Sequence, residues 1–208
     1  MRPGIAFLLA LSLGACATAS GERAASFVTS DIARAYIPLD GRSYFLLESH
    51  GAAFVVAPGI AVTNAHNGDF LGKVPVIGRS RDYDLLFFRV GRNLAPVFGV
   101  AAPGQQVIAY GQGPDGELRE ARGVVRLLNQ PVEARCSTCV VQGAFIFEGN
   151  AGPGFSGGPV VEVASGAIVG ITFGYLDKDG HRLMYAYPMS RVRNELAVLE
   201  GRLPTSID

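Results

Sequence analysis

Gly154-Phe155-Ser156-Gly157-Gly158-Pro159 places one serine among glycines. Glycine enters backbone conformations closed to other residues, so this stretch can turn tightly enough for its N–H groups to converge near the serine oxygen, as an oxyanion requires. The plain alternative is a glycine-rich turn with an incidental serine. Gly154-x-Ser156-x-Gly158 also satisfies the nucleophile-elbow pattern, but that elbow leads into a helix and has an aspartate and a histidine later in the chain. Here Gly158-Pro159-Val160-Val161 leads into a strand and His181 is the sole later histidine, so the elbow fails.

A serine hydroxyl needs a base before it can attack, and three histidines compete for that role. His66 closes Ala61-Val62-Thr63-Asn64-Ala65-His66, a strand end from which a side chain can project into a cleft. His50 precedes Gly51 at the start of a strand and His181 follows Asp179-Gly180 in a hairpin turn, so both read as solvated loop residues. Asp84 heads the apolar run Leu85-Leu86-Phe87-Phe88, where a carboxylate can hold an imidazole in one tautomer and stabilise its cation. Asp82 lies on the same strand face and competes with it. Burial favours Asp84, because solvent beside Arg81 would screen the charge of Asp82.

Gly51-x-x-Phe54-Val55-Val56 followed by Val62-Thr63-Asn64-Ala65-His66 resembles the histidine segment of trypsin-like serine peptidases, particularly their bacterial HtrA/Deg branch. Asp84-Leu85-Leu86-Phe87-Phe88 resembles that family's aspartate segment, and Val107-Ile108-Ala109-Tyr110-Gly111 and Gly123-Val124-Val125 resemble the opening strands of its second barrel. Ile168-Val169-Gly170-Ile171-Thr172 and Tyr185-Ala186-Tyr187-Pro188 resemble the strands lining the primary specificity pocket. The resemblance runs from about residue 45 to 195, in the chain order His, Asp, Ser. It implies His66, Asp84 and Ser156 as a catalytic triad, with the N–H groups of Gly154 and Ser156 as the oxyanion hole. A substrate strand would pair with Thr172, Phe173 and Gly174, and Asn150, six residues before Ser156, would lie at the pocket floor. With no acid or cation there, the pocket would take a small or medium apolar side chain.

Two features depart from the family. The His66-to-Asp84 interval is short, which implies trimmed loops. Phe155 stands where members usually carry Asp or Asn, which argues against activation by an inserted new N-terminus, since that route needs an aspartate to pair with the amine.

The chain has 27 glycines and 12 prolines scattered between short runs of Val, Ile, Phe and Tyr, the pattern of many strands joined by turns. Strands are expected over 44–47, 53–56, 60–63, 74–77 and 85–90, then over 106–110, 117–128, 140–147, 158–163, 167–173 and 183–187. The fold class is therefore all-β, expected as two six-stranded antiparallel Greek-key barrels at about 40–92 and 104–190. Ser190 caps a C-terminal helix over about 190–200 on which Val192, Leu196 and Leu199 recur at helical spacing. Barrels and helix together form a single peptidase domain over 27–208, with no PDZ domain expected after it.

Residues 1–15 read as a signal peptide, with Arg2 at its head, an apolar stretch, and Leu13-Gly14-Ala15-Cys16 resembling a lipobox. Cleavage before Cys16 would leave a lipidated cysteine and a small, polar tether over 16–26. An ordinary signal cut after Ala15, Ala17 or Ala19 would leave no lipid; both readings export the protein. Ala17 after Cys16 is not the aspartate of inner-membrane retention, so an outer-membrane anchor facing the periplasm is expected in a Gram-negative source. Cys136 and Cys139 can form a local disulfide in an oxidising compartment or remain two thiols. No second pair stands at zinc-ligand spacing, and the strand after Cys139 is the wrong context for a redox motif.

Eighteen basic and 18 acidic residues cancel, so no overall field favours nucleic acid. The expected activity is hydrolysis of peptide bonds in a peptide or protein substrate, without metal or organic cofactor. The competing readings are a catalytically silent adaptor on the same fold and a redox lipoprotein using Cys136 and Cys139.

Overall fold

The computed structural model describes residues 20–41, 49–133 and 140–202. The chain opens with β1 (Glu22–Arg23), α1 (Ser30–Ala35) and β2 (Tyr36–Asp40). β3 (His50–Ala57), β4 (Ile60–Thr63), a 3₁₀ segment (Ala65–Leu71), β5 (Val76–Arg79) and β6 (Leu86–Arg89) follow. The second half holds β7 (Gln106–Gln112), β8 (Leu118–Glu133), β9 (Val140–Glu148), β10 (Pro159–Glu162), β11 (Ile168–Lys178), β12 (His181–Pro188) and α2 (Met189–Leu199).

Strand periodicity decides how the two halves meet. Phe54, Val62, Leu85 and Phe87 face Ile108, Tyr110, Val161 and Tyr187 in a core shared by both sheets. Their neighbours Ala53, Ala61, Leu86 and Phe88 point the other way, into a small cluster with Leu39 and Leu71. In the second half Val107, Ala109, Val160 and Val169 point into a separate interior lined by Phe145, Phe147 and Phe155. Both faces of β3, β4 and β6 are thus covered, which accounts for near-continuous apolar runs where one-sided burial would give alternation.

The second half closes. β8, β7, β10, β11, β12 and β9 pair in that order and β8 returns to β9, making a six-stranded antiparallel barrel, with β1 added outside on β8. Closure depends on the sixteen residues of β8: Leu118–Val124 pairs with β7 and Val124–Glu133 with β9, with register shifts that let the strand bend.

The first half departs from the expected six-stranded barrel. Among the described residues it is an open five-stranded sheet in the order β2-β3-β4-β6-β5. Its edge strands are five and four residues long, and β5 is half exposed at Val76, too little paired backbone for β2 and β5 to meet. The expected strand at 44–47 lies outside the described residues, as do Cys16, Cys136 and Cys139. The edge strand β2, which carries Pro38, went unread in the sequence. So did two of the three helical segments. Thr29 caps α1 by accepting a hydrogen bond from the Ile32 N–H, burying Ile32 and Ala35. The 3₁₀ segment follows β4 directly. α2 starts at Met189, with no side-chain cap from Ser190, and buries Met189, Val192 and Leu196.

Residues 20–23, within the stretch read as a tether, lie against the barrel. Ser20 and Gly21 are buried, and Glu22 and Arg23 pair with Glu120 and Arg119 on β8.

Candidate active site

The site lies where the open sheet faces the closed barrel. β4 ends at Thr63, and the chain turns through Asn64 into the 3₁₀ segment that carries His66. Thr63 Oγ1 donates to the Ala52 carbonyl at 2.7 Å and accepts from Asn67 Nδ2 at 3.0 Å. The two residues four apart therefore fix the turn on which His66 stands.

Asp84 reaches His66 with both carboxylate oxygens. The His66 N–H donates to Oδ1 at 3.0 Å and ring Nδ1–H donates to Oδ2 at 2.6 Å. A carboxylate only accepts, so this contact puts the proton on Nδ1 and leaves Nε2 with a free lone pair. Asp84 is itself held at both backbone groups: its carbonyl accepts from Asn64 Nδ2 at 2.9 Å, and its N–H donates to the Tyr187 hydroxyl at 3.3 Å. Burial raises that hydroxyl's pKa well above the usual tyrosine range, so it stays protonated. Asp82 lies farther out, exposed, with its N–H donating to Ser80 Oγ.

Ser156 comes from the barrel side but is tied to the open sheet. Its carbonyl accepts from the Ala52 N–H at 2.9 Å and from Asn67 Nδ2 at 2.8 Å. The preceding loop turns at Gly152-Pro153-Gly154-Phe155, where the Phe155 N–H donates to the Gly152 carbonyl at 3.2 Å and Gly154 has φ +91°. Proline second and positive-φ glycine third is the signature of a type II turn. Every carbonyl from Asn150 to Gly154 has a donor: Gly21 N–H, Arg182 Nη1, Phe155 N–H, Ser20 Oγ and Gln112 N–H in turn. The N–H groups of Gly154 and Ser156 donate to no group of the described chain. Both residues are half-buried, and two N–H groups left open on one tight turn, two residues apart, can receive an anion. Among the described residues no hydrogen bond joins Ser156 Oγ to His66, whose side chain is half exposed.

Phe155 explains the family's missing Asp or Asn. Its ring is fully buried in the barrel interior with Val107, Ala109 and Val160, so apolar packing seats the loop where those proteins place a polar group.

Of the expected substrate-strand residues, Thr172 is buried, and its N–H and carbonyl are taken by the Gly158 carbonyl and Gly157 N–H at 3.0 and 2.9 Å. Phe173 sits at a register shift between β11 and β12, its ring stacked 4.1 Å from that of Tyr187, and Gly174 pairs with Tyr185. Asn150 is exposed and borders an open depression of about 520 Å³ with Arg122, Glu148, Asp177, His181 and Arg182. The acids there are engaged: Asp177 by Arg182 at 2.6 and 2.9 Å, and Glu148 by Arg126 and His181, each at 2.9 Å. The Arg126 hydrogen bond, then that of His181, holds the Glu148 carboxyl below its ordinary range.

His50 corrects the sequence reading. Its side chain is only 7% exposed and its Nε2 lies 3.2 Å from the Pro114 carbonyl, because Pro114 and Gly116 fold over the start of β3. His181, 67% exposed, is the solvated residue expected. Sequence reasoning missed Asn67 and Ser20, and the hydrogen-bonding roles of Thr63 and Tyr187. Asn67 and Thr63 carried a usable signal, two polar residues four apart on either side of His66, just after an apolar strand.

No family model matches the chain, and no curated protein matches it. Solved structures do. The Rv3671c protease of M. tuberculosis in its active form superposes with a TM-score of 0.69 at 19% identity, over 86% of each chain. The HtrA-type protease AlgW with a tripeptide gives 0.65 at 17% identity, covering 85% of this chain and 64% of that one. The MamO protease domain of Magnetospirillum magneticum gives 0.61 at 17% identity, over 78% of this chain and 96% of that one. The fold is that of trypsin-like serine proteases of the HtrA type.

Proposed function

We propose that this chain is an exported serine endopeptidase acting through His66, Asp84 and Ser156. The observation that carries the reading is the Nδ1–H hydrogen bond from His66 to Asp84 on one side of the cleft, facing a serine turn with two undonated N–H groups on the other. In the reaction Ser156 Oγ attacks the peptide carbonyl carbon while its proton passes to His66 Nε2. Asp84 stabilises the resulting imidazolium through Nδ1, and the Gly154 and Ser156 N–H groups receive the oxyanion. His66 then gives the proton to the departing amine nitrogen, leaving an acyl ester on Ser156. Water, deprotonated by His66, cleaves that ester and restores the serine.

A substrate strand would pair with Phe173 and Gly174, because the backbone of Thr172 is already occupied. The side chain before the scissile bond would be small or medium and apolar. Glu148 and Asp177 near Asn150 are held by Arg and His and do not offer a free carboxylate to a basic side chain. A peptide-library digest with wild type and Ser156→Ala tests activity and preference together: cleavage that survives the substitution contradicts the triad, and dominant cleavage after Arg or Lys contradicts the pocket.

The absent Ser156–His66 hydrogen bond is what favours the second reading, a silent adaptor. Apo sites are often loose at this contact and tighten on substrate binding, so the peptidase reading stands first.

Export follows from the signal peptide, and membrane attachment from a lipid on Cys16. Three residues lie between Cys16 and the seated Ser20, four steps of chain or at most about 14 Å when extended, so the domain would ride close to the bilayer. In a Gram-negative source this would be the outer membrane facing the periplasm. Cys136 and Cys139 would form a local disulfide in that compartment.

A further inference from the structure

We infer that Ser20 and Gly21 form a clamp that sets the oxyanion hole, with Ser20 as its positioning residue. A trans peptide unit points its C=O and N–H in opposite directions. The Pro153–Gly154 unit therefore aims the Gly154 N–H one way only if the Pro153 carbonyl is held the other way. The group holding it is the side chain of Ser20, whose Oγ donates to Pro153 O at 2.9 Å. The next residue reinforces the hold, since the Gly21 N–H donates to the Asn150 carbonyl at 2.6 Å.

The clamp is seated on all sides. A Cβ on Gly152 would lie 2.8 Å from Ser20 Oγ, so the serine packs directly over the turn it bonds. Gly21 has φ +68°, and a Cβ there would lie 2.6 Å from Phe155 Cζ, so this position requires glycine both for its backbone and for its contact with the buried ring. Arg119 Nη1 donates to the Gly21 carbonyl at 3.2 Å, and β1 then joins the edge of β8. The barrel thus anchors the clamp, and the clamp sets the turn. Phe155 needs no polar partner, because the fixing group acts on the peptide two residues earlier.

A type II turn can flip its central peptide to type I, which would carry the Gly154 N–H away from the oxyanion. Without the Ser20 hydroxyl the Pro153 carbonyl loses its only donor among the described residues, and the flipped turn gains population. Substrate binding along Phe173 and Gly174 is untouched, so the effect falls on kcat.

The experiment uses the full chain and Ser20→Ala, with kcat and KM on a peptide cleaved by wild type and NMR of the Pro153 carbonyl carbon and Gly154 amide. The kinetic consequence rests on the peptidase reading; the clamp itself does not. We expect both resonances to shift, kcat to fall about threefold to tenfold on the scale of one uncharged hydrogen bond, and KM to stay within about twofold. Unmoved resonances overturn the clamp whatever the rate does, and moved resonances with unchanged kcat overturn its role in positioning the oxyanion donor. If wild type cleaves no peptide and takes no fluorophosphonate, the peptidase reading falls, and the resonances alone still decide whether Ser20 holds the turn.

Discussion

Asn67 Nδ2 donates to the carbonyl of Ser156 at 2.8 Å, so the residue after the proposed base holds the proposed nucleophile from across the cleft. The same amide donates to Thr63 Oγ1, which donates to Ala52 O, and the Ala52 N–H also reaches Ser156 O. This short chain of bonds joins the open sheet to the closed barrel at the catalytic centre. Replacing Asn67 by Ala removes two hydrogen bonds from a side chain that is 2% exposed. The expected cost is about 1–3 kcal/mol of stability by urea unfolding, with kcat/KM falling by about tenfold or more as Ser156 loses its register with His66. Unchanged kcat/KM would show that the Ala52 bond suffices.

Asp84 and Asp82 are two residues apart, yet only Asp84 touches His66. Asp84→Asn should lower turnover by on the order of 10⁴-fold, because an amide in place of the carboxylate favours the wrong imidazole tautomer. Asp82→Asn should stay within about tenfold, since its charge lies in solvent. Steady-state kinetics on both variants, with circular dichroism to establish folding, would reverse the assignment if the ranking reversed.

Phe155→Asp installs the side chain more usual at this place in trypsin-like peptidases. Here it would put a carboxylate among Val107, Ala109 and Val160 with no cation within the barrel interior described. The expected outcome is a loss of about 3 kcal/mol or more in unfolding free energy. Wild-type stability in that variant would mean that the loop is seated by something other than the phenylalanine.

Cys16→Ser should move the protein from membrane to soluble fractions when expressed in its own compartment, because no lipid could be attached. Unchanged partitioning would contradict the lipoprotein reading.

The sequence made the site more legible than the architecture. Gly154, Gly157 and Gly158 announce a tight turn, and a histidine after an apolar strand announces a base, because both are local requirements of chemistry. Closure of a barrel is not local. It depends on β8 being long enough to pair with two neighbours and on β2 and β5 being too short to meet, which strand propensity does not measure. α1 escaped notice because six residues carry too little periodicity, although Thr29-Ser30-Asp31 was a readable cap. Ser20 escaped notice because small polar residues before a domain look like a tether, and its role arises only from contact with Pro153, 133 residues away.

Fluorophosphonate labelling followed by peptide mapping tests the central claim most directly, because the reagent reacts with a serine only when a base and an oxyanion hole are both in place. The account expects one adduct, on Ser156, in the wild-type protein, with strongly reduced labelling in His66→Ala and none in Ser156→Ala. A folded wild-type protein that leaves Ser156 unmodified, or that labels equally well without His66, would contradict it.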